Sequence, residues 1–393
     1  MDQLGHSQII PYILGIKDKV SDLYVISFEK KNNKLNKNEI FNTLQKKKIN
    51  WKPLNFTNKF FFIIKIFDIL KIIYFPFLLS VINKINIVHC RGHIPAIAGL
   101  LLKKIFKIKF IFDCRGFWAD ERFDDGNWNK KKIFYILIYK FFKTLERSFF
   151  KNSDHIVVLT NVAKEILIKN YSINEDRISV IPCCADYSKF KINSTNIKSD
   201  MKKNMGFDDT HIILGYIGTL SNLYMVKEMI YFFKKLHNNN SNFRFLIVTK
   251  DKNKINSLIN TDDKFLLENN LISFKDADGG NISDYINLFD ISLCFVLSSN
   301  ARKASSPTKV GESLACGVPV ICNKNVGDLN DWIPKLYNHG LLDCSNFSML
   351  DKVANNISYY LSLDKHIIRS KSKLYMDQNN ALFTYHKIYG LLI

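Results

Sequence analysis

The chain lacks most of the patterns that would fix its class at a glance. Its eight cysteines are scattered, with no Cys-x-x-Cys and one adjacent pair, Cys183-Cys184. That excludes zinc-ribbon spacings and a disulfide framework, and it points to a reducing compartment. There is no His-Glu-x-x-His, no Gly-x-Ser-x-Gly and no Walker sequence, so the metalloprotease, serine-hydrolase and P-loop signatures are absent. A complete Gly-x-Gly-x-x-Gly is also lacking, which argues against a nicotinamide or flavin enzyme. Asp124-Asp125-Gly126 is acidic and turn-like but does not have calcium-loop spacing. No secretory signal is read at the start. The most apolar run, Phe60 to Val81, carries Lys65, Asp68 and Lys71, which disfavours a spanning helix and leaves an interfacial or groove-lining one. No repeat of solenoid length is visible.

Acidic charge is scarce too. The 393 residues hold 56 Lys and Arg against 36 Asp and Glu, a formal net charge of +20. Residues 1–182 hold 31 basic and 16 acidic residues, so this stretch supplies +15 of the excess. A basic half suits anionic lipid, nucleic acid or a phosphorylated substrate. No nucleic-acid recognition motif accompanies the charge, and nucleic acid is the weakest of the three. Length and a 47% apolar content allow two domains, each with its own core.

Along the chain, strand patterns at Leu23–Phe28, Ile85–His89, Lys109–Asp113, His155–Leu159 and Arg177–Ile181 alternate with long helical stretches. Those stretches fall at about 61–83, 95–107 and 131–151. Residues 183–210 carry no strong period and read as a junction. A second alternation follows, with strands at Ile212–Ile217, Phe243–Thr249, Leu271–Phe274 and Ile291–Val296 and helices between them. Helices over about 347–363 and 381–392 finish the chain. This is the pattern of two doubly wound parallel sheets, whose ligands lie at the carboxyl ends of strands.

The most informative stretch is Ser305 to Ile321. Ser306 and Pro307 predict a helix start, Gly317 a left-handed stop and Val318–Ile321 a short buried strand. Lys309 then falls in the first turn, beside the positive end of the helix dipole, a placement that costs about 0.3–1 kcal/mol unless an anion joins it. Glu312 shares its face. The pair suits a phosphate and a ribose diol, or else an ordinary capped helix with a solvated ion pair. Gly311 and Ala315 predict close packing on a sheet. In the first half, strand ends deliver His89-Cys90-Arg91-Gly92-His93 and Asp113-Cys114-Arg115-Gly116. Arg115 has the geometry to grip phosphate, and Asp113 to orient a hydroxyl or act as a base, unless the two merely brace a loop. Gly5, with Ser7 as a helix cap, and Gly218-Thr219 are candidate phosphate turns. The aromatic spacing over Lys130–Phe150 suits a core or membrane-facing stripe better than base stacking.

Taken together these residues resemble the retaining glycosyltransferases of the GT-B fold, family four, of the bacterial surface-polysaccharide type. Ser305–Ile321 is similar to the family's Pro-x-Lys-x-x-Glu-x-x-Ala-x-Gly-x-Pro-Val-Ile segment. Further matches are Ile181-Pro182 with Asp186 and Phe190, Gly215-Tyr216-Ile217-Gly218, Asp290-Ile291-Ser292-Leu293, Leu4-Gly5-His6-Ser7-Gln8, Asp113-x-Arg115-Gly116 and Asp120-Glu121. The resemblance implies two Rossmann-like domains facing across a cleft. An acceptor-binding domain would span 1–182, a junction 183–210 and a nucleotide-sugar-binding domain 211–393, with the last helix packing back on the first domain. It implies that Gly5, Gly218, Thr219, Ser306, Thr308, Lys309 and Glu312 hold the nucleotide sugar, and that Asp113, Arg115 and Lys309 serve catalysis. Neither a metal nor a cofactor is implied; the nucleotide sugar is a co-substrate and the acceptor a lipid-linked or growing glycan. A cytoplasmic enzyme, peripheral on an anionic inner membrane face, is expected.

Two departures bear on the site. The first of the family's paired glutamates falls at Ala304, and in the family's Arg–Lys pair after the second-domain turn Thr219 replaces the Arg, Lys227 lies at about the distance of the Lys, and Arg302 or Lys303 are the candidates to compensate. The resemblance also begins after the family's first strand, which leaves the neighbouring strand edges unpaired and predicts an upstream start or a truncated allele. A nucleotide-sugar epimerase or hydrolase on this fold, or a non-catalytic binding protein, are the alternative readings.

Overall fold

The computed structural model describes residues 3–29, 34–56, 62–221, 223–276 and 282–393. Two compact units emerge: Met1–Pro182 together with Asn379–Ile393, and Cys183–Gln378.

In the first unit, β1 (Tyr24–Glu29) and β2 (Asn50–Asn55) form a parallel pair, while β3 (Ile87–Arg91), β4 (Lys109–Cys114), β5 (His155–Val158) and β6 (Ile178–Val180) form a separate four-stranded parallel sheet. Among the described residues β1 and β3 each pair on one side only. Burial agrees, because β4 is buried along nearly its whole length while β3 is only half-buried. Strand β2 was not expected from its Asn-Trp-Lys-Pro-Leu-Asn sequence. It is an edge strand, where a proline such as Pro53 is tolerated.

Helices cover these strands wherever their spacing yields an apolar face. The helix His93–Phe106 buries Ala96, Leu100 and Leu102 and stops at Lys107 in the left-handed conformation. A Cβ on its Gly99 would stand 2.4 Å from the Phe110 ring and 2.7 Å from Cys90 Sγ, so glycine lets the helix sit down on β3 and β4. Ile10 of the helix Ile10–Ile16 packs with Ile40, Leu44, Ile49 and Trp51 beside β1 and β2.

The second unit holds one six-stranded parallel sheet, in the order β12-β11-β10-β7-β8-β9. Its strands are β7 (Ile212–Ile217), β8 (Phe243–Val248), β9 (Ile272–Lys275), β10 (Ile291–Cys294), β11 (Val320–Asn323) and β12 (Leu341–Leu342). The strand order reverses between β7 and β10, the position where such sheets receive ligands. The helix Val226–Asn239 turns Met229, Ile230, Phe232, Phe233 and Leu236 onto one face of the sheet. Phe207, Ile286 and Phe289 cover the other face.

The expected junction contains a helix, Thr195–Asn204. The expected 347–363 helix is broken into Phe347–Asn355 and Ser358–Leu361. A helix at Lys365–Met376 was not foreseen.

Candidate active site

At the switch point, Gly218 follows β7 directly with φ +142°, a backbone conformation that favours glycine. A Cβ there would lie 2.7 Å from Lys309 Nζ and 3.1 Å from the Tyr216 hydroxyl. With only a hydrogen in that position, neither group is crowded. The turn is braced twice, since Tyr216 donates its hydroxyl hydrogen to Thr219 O at 2.7 Å and Asp251 accepts from the Leu220 N–H at 2.9 Å.

Lys309 enters from the helix Thr308–Ala315. Its ammonium lies 3.8 Å from the Tyr224 ring centroid, 4.4 Å from that of Tyr216, and 3.3 Å from the Tyr216 hydroxyl. Its near neighbours are therefore rings and a phenol rather than a carboxylate. Burial lowers the Lys309 ammonium to about 8. Burial likewise raises Glu312, one turn along, to about 7, and Lys309 offsets part of that rise. Glu312 is buried and Lys309 half-buried, so a fully solvated ion pair does not describe them.

Some expectations for this helix are corrected. Ser306 does not cap it: Pro307 takes the cap position and no side chain caps the helix, while Ser306 Oγ accepts from the Cys183 N–H at 3.1 Å. Val310 N–H bonds back to Pro307 O at 3.1 Å, and no side chain caps the helix start, which keeps its partial positive charge. Gly311 faces Met376 Sδ and Cys183 O, where a Cβ would meet them at 3.3 and 3.5 Å, so the close packing at Gly311 is against a helix and a loop rather than a sheet. The helix does pack on β10 and β11 through Val310, Leu314 and Ala315, and Ser313 donates to Ser292 on β10 at 3.0 Å. Gly317 closes the helix with φ +71°, as expected. Ala304, in place of a glutamate, and Arg302 are buried, while Lys227 and Lys303 are exposed.

In the first unit, Asp113 is wholly buried and accepts from Arg91 at 2.8 Å, the Tyr385 hydroxyl at 3.0 Å and Arg115 at 3.4 Å. Burial pushes its carboxyl up, but Arg115 and then Arg91 outweigh that and hold it well below the usual carboxylate range. This corrects the expectation of a base or a sugar contact, because no exposed oxygen remains for a substrate. Asp113 instead positions Arg115, whose guanidinium also reaches Ile181 O at 3.4 Å. His89 bonds the Tyr389 hydroxyl through Nδ1 at 3.0 Å. Gly5 lies inside the helix Gln3–Gln8, and Ile9 holds the cap position of the next helix. The expected phosphate turn and Ser7 cap are therefore absent, because the chain coils into helix where a loop was read.

Tyr216, Tyr224 and Asp251 were not singled out from sequence. Asp251 follows the end of β8, where the strand-end rule would have found it. The two tyrosines look like core residues until Lys309 is placed between them.

Residues 39–189 match the family model for Glycosyltransferase Family 4, and residues 197–366 match that for Glycosyl transferases group 1. No curated protein matches the sequence. Among solved structures, the chain is similar to Anabaena Alr3699/HepE in complex with UDP and glucose (TM-score 0.69, 13% identity, 97% of this chain and 95% of that one). It is similar to a glycosyltransferase from Rickettsia africae (TM-score 0.64, 15% identity, 95% and 99%). WaaG, a glycosyltransferase involved in lipopolysaccharide biosynthesis, is a third (TM-score 0.56, 16% identity, 74% and 80%). With a glycosyltransferase model on each half and a pair of Rossmann-like units shared with these structures, the chain is a glycosyltransferase of the GT-B fold.

Proposed function

We propose that the chain moves a sugar from a nucleotide-sugar donor to a lipid-linked or growing glycan acceptor, with retention of configuration, in the building of a surface polysaccharide. The observation that carries this is the Lys309 ammonium held beside the Gly218 turn and an uncapped helix start. Gly218, Thr219, Ser306, Thr308 and Lys309 supply the diphosphate site, and Glu312 meets the ribose. In the first unit Arg115 is the group suited to an anion. During transfer the bond from the anomeric carbon to phosphate breaks while the acceptor oxygen bonds on the same face. The acceptor proton passes to the departing diphosphate, whose charge the ammonium and helix start stabilise. UDP and UDP-glucose in the HepE structures, and the lipopolysaccharide role in the name of WaaG, are consistent with this reading.

A membrane surface as partner draws support from one helix. Among the described residues no helix is long and apolar enough to cross a membrane. Yet Phe62–Ile82 exposes Phe67, Leu70, Tyr74, Leu78 and Ile82 at helical spacing. It packs on the His93–Phe106 helix, which exposes Ile105 and ends near Lys103, Lys104 and Lys107. An exposed apolar stripe with lysines at the end of the neighbouring helix suits an anionic bilayer.

The donor site is tested by two substitutions in a transfer assay over a panel of nucleotide sugars. Glu312→Ala should weaken donor binding about 10- to 100-fold, the loss of a charged hydrogen bond. Lys309→Ala should slow transfer about 100-fold or more, the scale of an electrostatic stabiliser. Full turnover by both variants would remove this helix from the site.

A further inference from the structure

We propose that Tyr216 and Tyr224 form a charge-neutral clamp that aims the Lys309 ammonium at the Gly218 turn, and that this clamp sets how tightly a donor diphosphate is held. The inference rests on the donor site proposed above and assigns it two positioning residues.

Three observations converge. The ammonium sits 3.8 and 4.4 Å from two ring centroids, and the rings stand 6.1 Å apart at 59° to one another, so they flank the charge from different directions. The Tyr216 hydroxyl lies within 3.3 Å of Lys309 Nζ while donating to Thr219 O at 2.7 Å, so one phenol ties the lysine to the turn. A Cβ on Gly218 would crowd Lys309 Nζ at 2.7 Å and the Tyr216 hydroxyl at 3.1 Å. Strand β7, the turn after it and the Thr308–Ala315 helix therefore meet at a single atom, the Tyr216 oxygen.

The chemistry of the walls explains why rings serve here. A carboxylate at the same distance would cancel the positive charge and take up its N–H groups. Aromatic faces attract the cation through their quadrupole and accept no conventional hydrogen bond. An ammonium carries three N–H donors. With one directed at Tyr216, two are left for phosphate oxygens, and neither ring cancels the charge. A flexible four-carbon side chain is thereby restricted before the donor arrives, which lowers the entropic cost of binding. Thr219 stands where the resemblance expects an Arg, so more of the diphosphate's charge falls to the residue being held.

The test is calorimetric binding of UDP, GDP and CDP to the full chain, followed with the tightest of the three. Tyr224→Leu removes a ring and should weaken binding about 3- to 30-fold, the span of a partly desolvated cation–π contact. Tyr224→Phe keeps the ring and should stay within about twofold of the unsubstituted chain. Tyr216→Phe keeps its ring but cuts the tie to Thr219 and Lys309, and should weaken binding about 3- to 10-fold, as one hydrogen bond would. On a Lys309→Ala background the Tyr224→Leu effect should disappear, an outcome that a general packing defect would not produce. If Tyr224→Leu does not fold, Tyr216→Phe with and without Lys309→Ala carries the same decision. The clamp is refuted if the ring-removing variant binds as well as or better than the parent, or if its effect persists without Lys309. Failure of the unsubstituted chain to bind any of the three nucleotides would sink the donor-site reading, and the clamp with it.

Discussion

Glu312 ionises in the folded chain only around pH 7, because burial disfavours its charge, whereas an unfolded chain loses the same proton near 4.5. Between those values the folded state holds the extra proton, so stability falls as pH rises through the window. Glu312→Gln removes the charged form and should raise stability at pH 8 by about 1–3 kcal/mol, with the difference closing below about pH 4.5. Denaturant melts at the two pH values check this, and equal gains at both would mean that ionisation is not the cause. Lys309 is shifted the opposite way, to about 8, so its cation is lost in the folded apo chain as pH rises past that point. UDP affinity should therefore weaken between pH 7 and 9.5, and a flat titration would take the ammonium out of the phosphate site. Gly218→Ala meets two penalties, since its φ of +142° is strained for any L side chain and its Cβ would crowd Lys309 Nζ. A loss of about 1–3 kcal/mol in thermal stability, with donor binding impaired, is expected.

At the scale of elements, the carboxyl ends of β3 and β4 are locked by the helix Gln378–Leu392. Tyr385 and Tyr389 from that helix meet Asp113 and His89, and His386 bonds Gly15 O at 3.0 Å. Tyr385→Phe leaves Asp113 with its two guanidinium partners and should cost about 1–2 kcal/mol in a urea melt. Asp113→Ala strands two half-buried arginines and should cost about 3–5 kcal/mol. If the two losses are equal, the buried ion cluster is not what braces these strand ends. Element types and order were largely legible from sequence because buried parallel strands read as short apolar runs: Ile212–Ile217 was placed to the residue, and β4 within one. Helix caps were not legible. Ser306 and Ser7 have the right side chain in the right place, but one is taken by the Cys183 N–H and the other lies within a helix. Strand β2 was missed because its partner, not its own Asn- and Lys-rich sequence, makes it a strand.

For the whole molecule, charge and exposed apolar surface concentrate in the same unit. The stripe on Phe62–Ile82 predicts that the protein sediments with vesicles of 30% phosphatidylglycerol in phosphatidylcholine and much less with phosphatidylcholine alone, with the difference shrinking in high salt. Leu70→Ser with Tyr74→Ser, both exposed and outside the proposed donor site, should reduce vesicle binding severalfold while leaving UDP affinity unchanged. Unchanged sedimentation would show that the stripe does not face lipid.

What the residues determined without any coordinates is the alternation of apolar strands and amphipathic helices, and the Lys309 to Gly317 segment with its glycine stop. Those are local properties, fixed by periodicity and by the backbone freedom of single residues. Only the folded arrangement decided that Asp113 is sealed among two arginines and a tyrosine 272 positions away. Likewise it alone set Lys309 between Tyr216 and Tyr224, 93 positions from the phenol it approaches. Desolvation and ion pairing depend on which distant side chains arrive at one point, and spacing along the chain carries no measure of that.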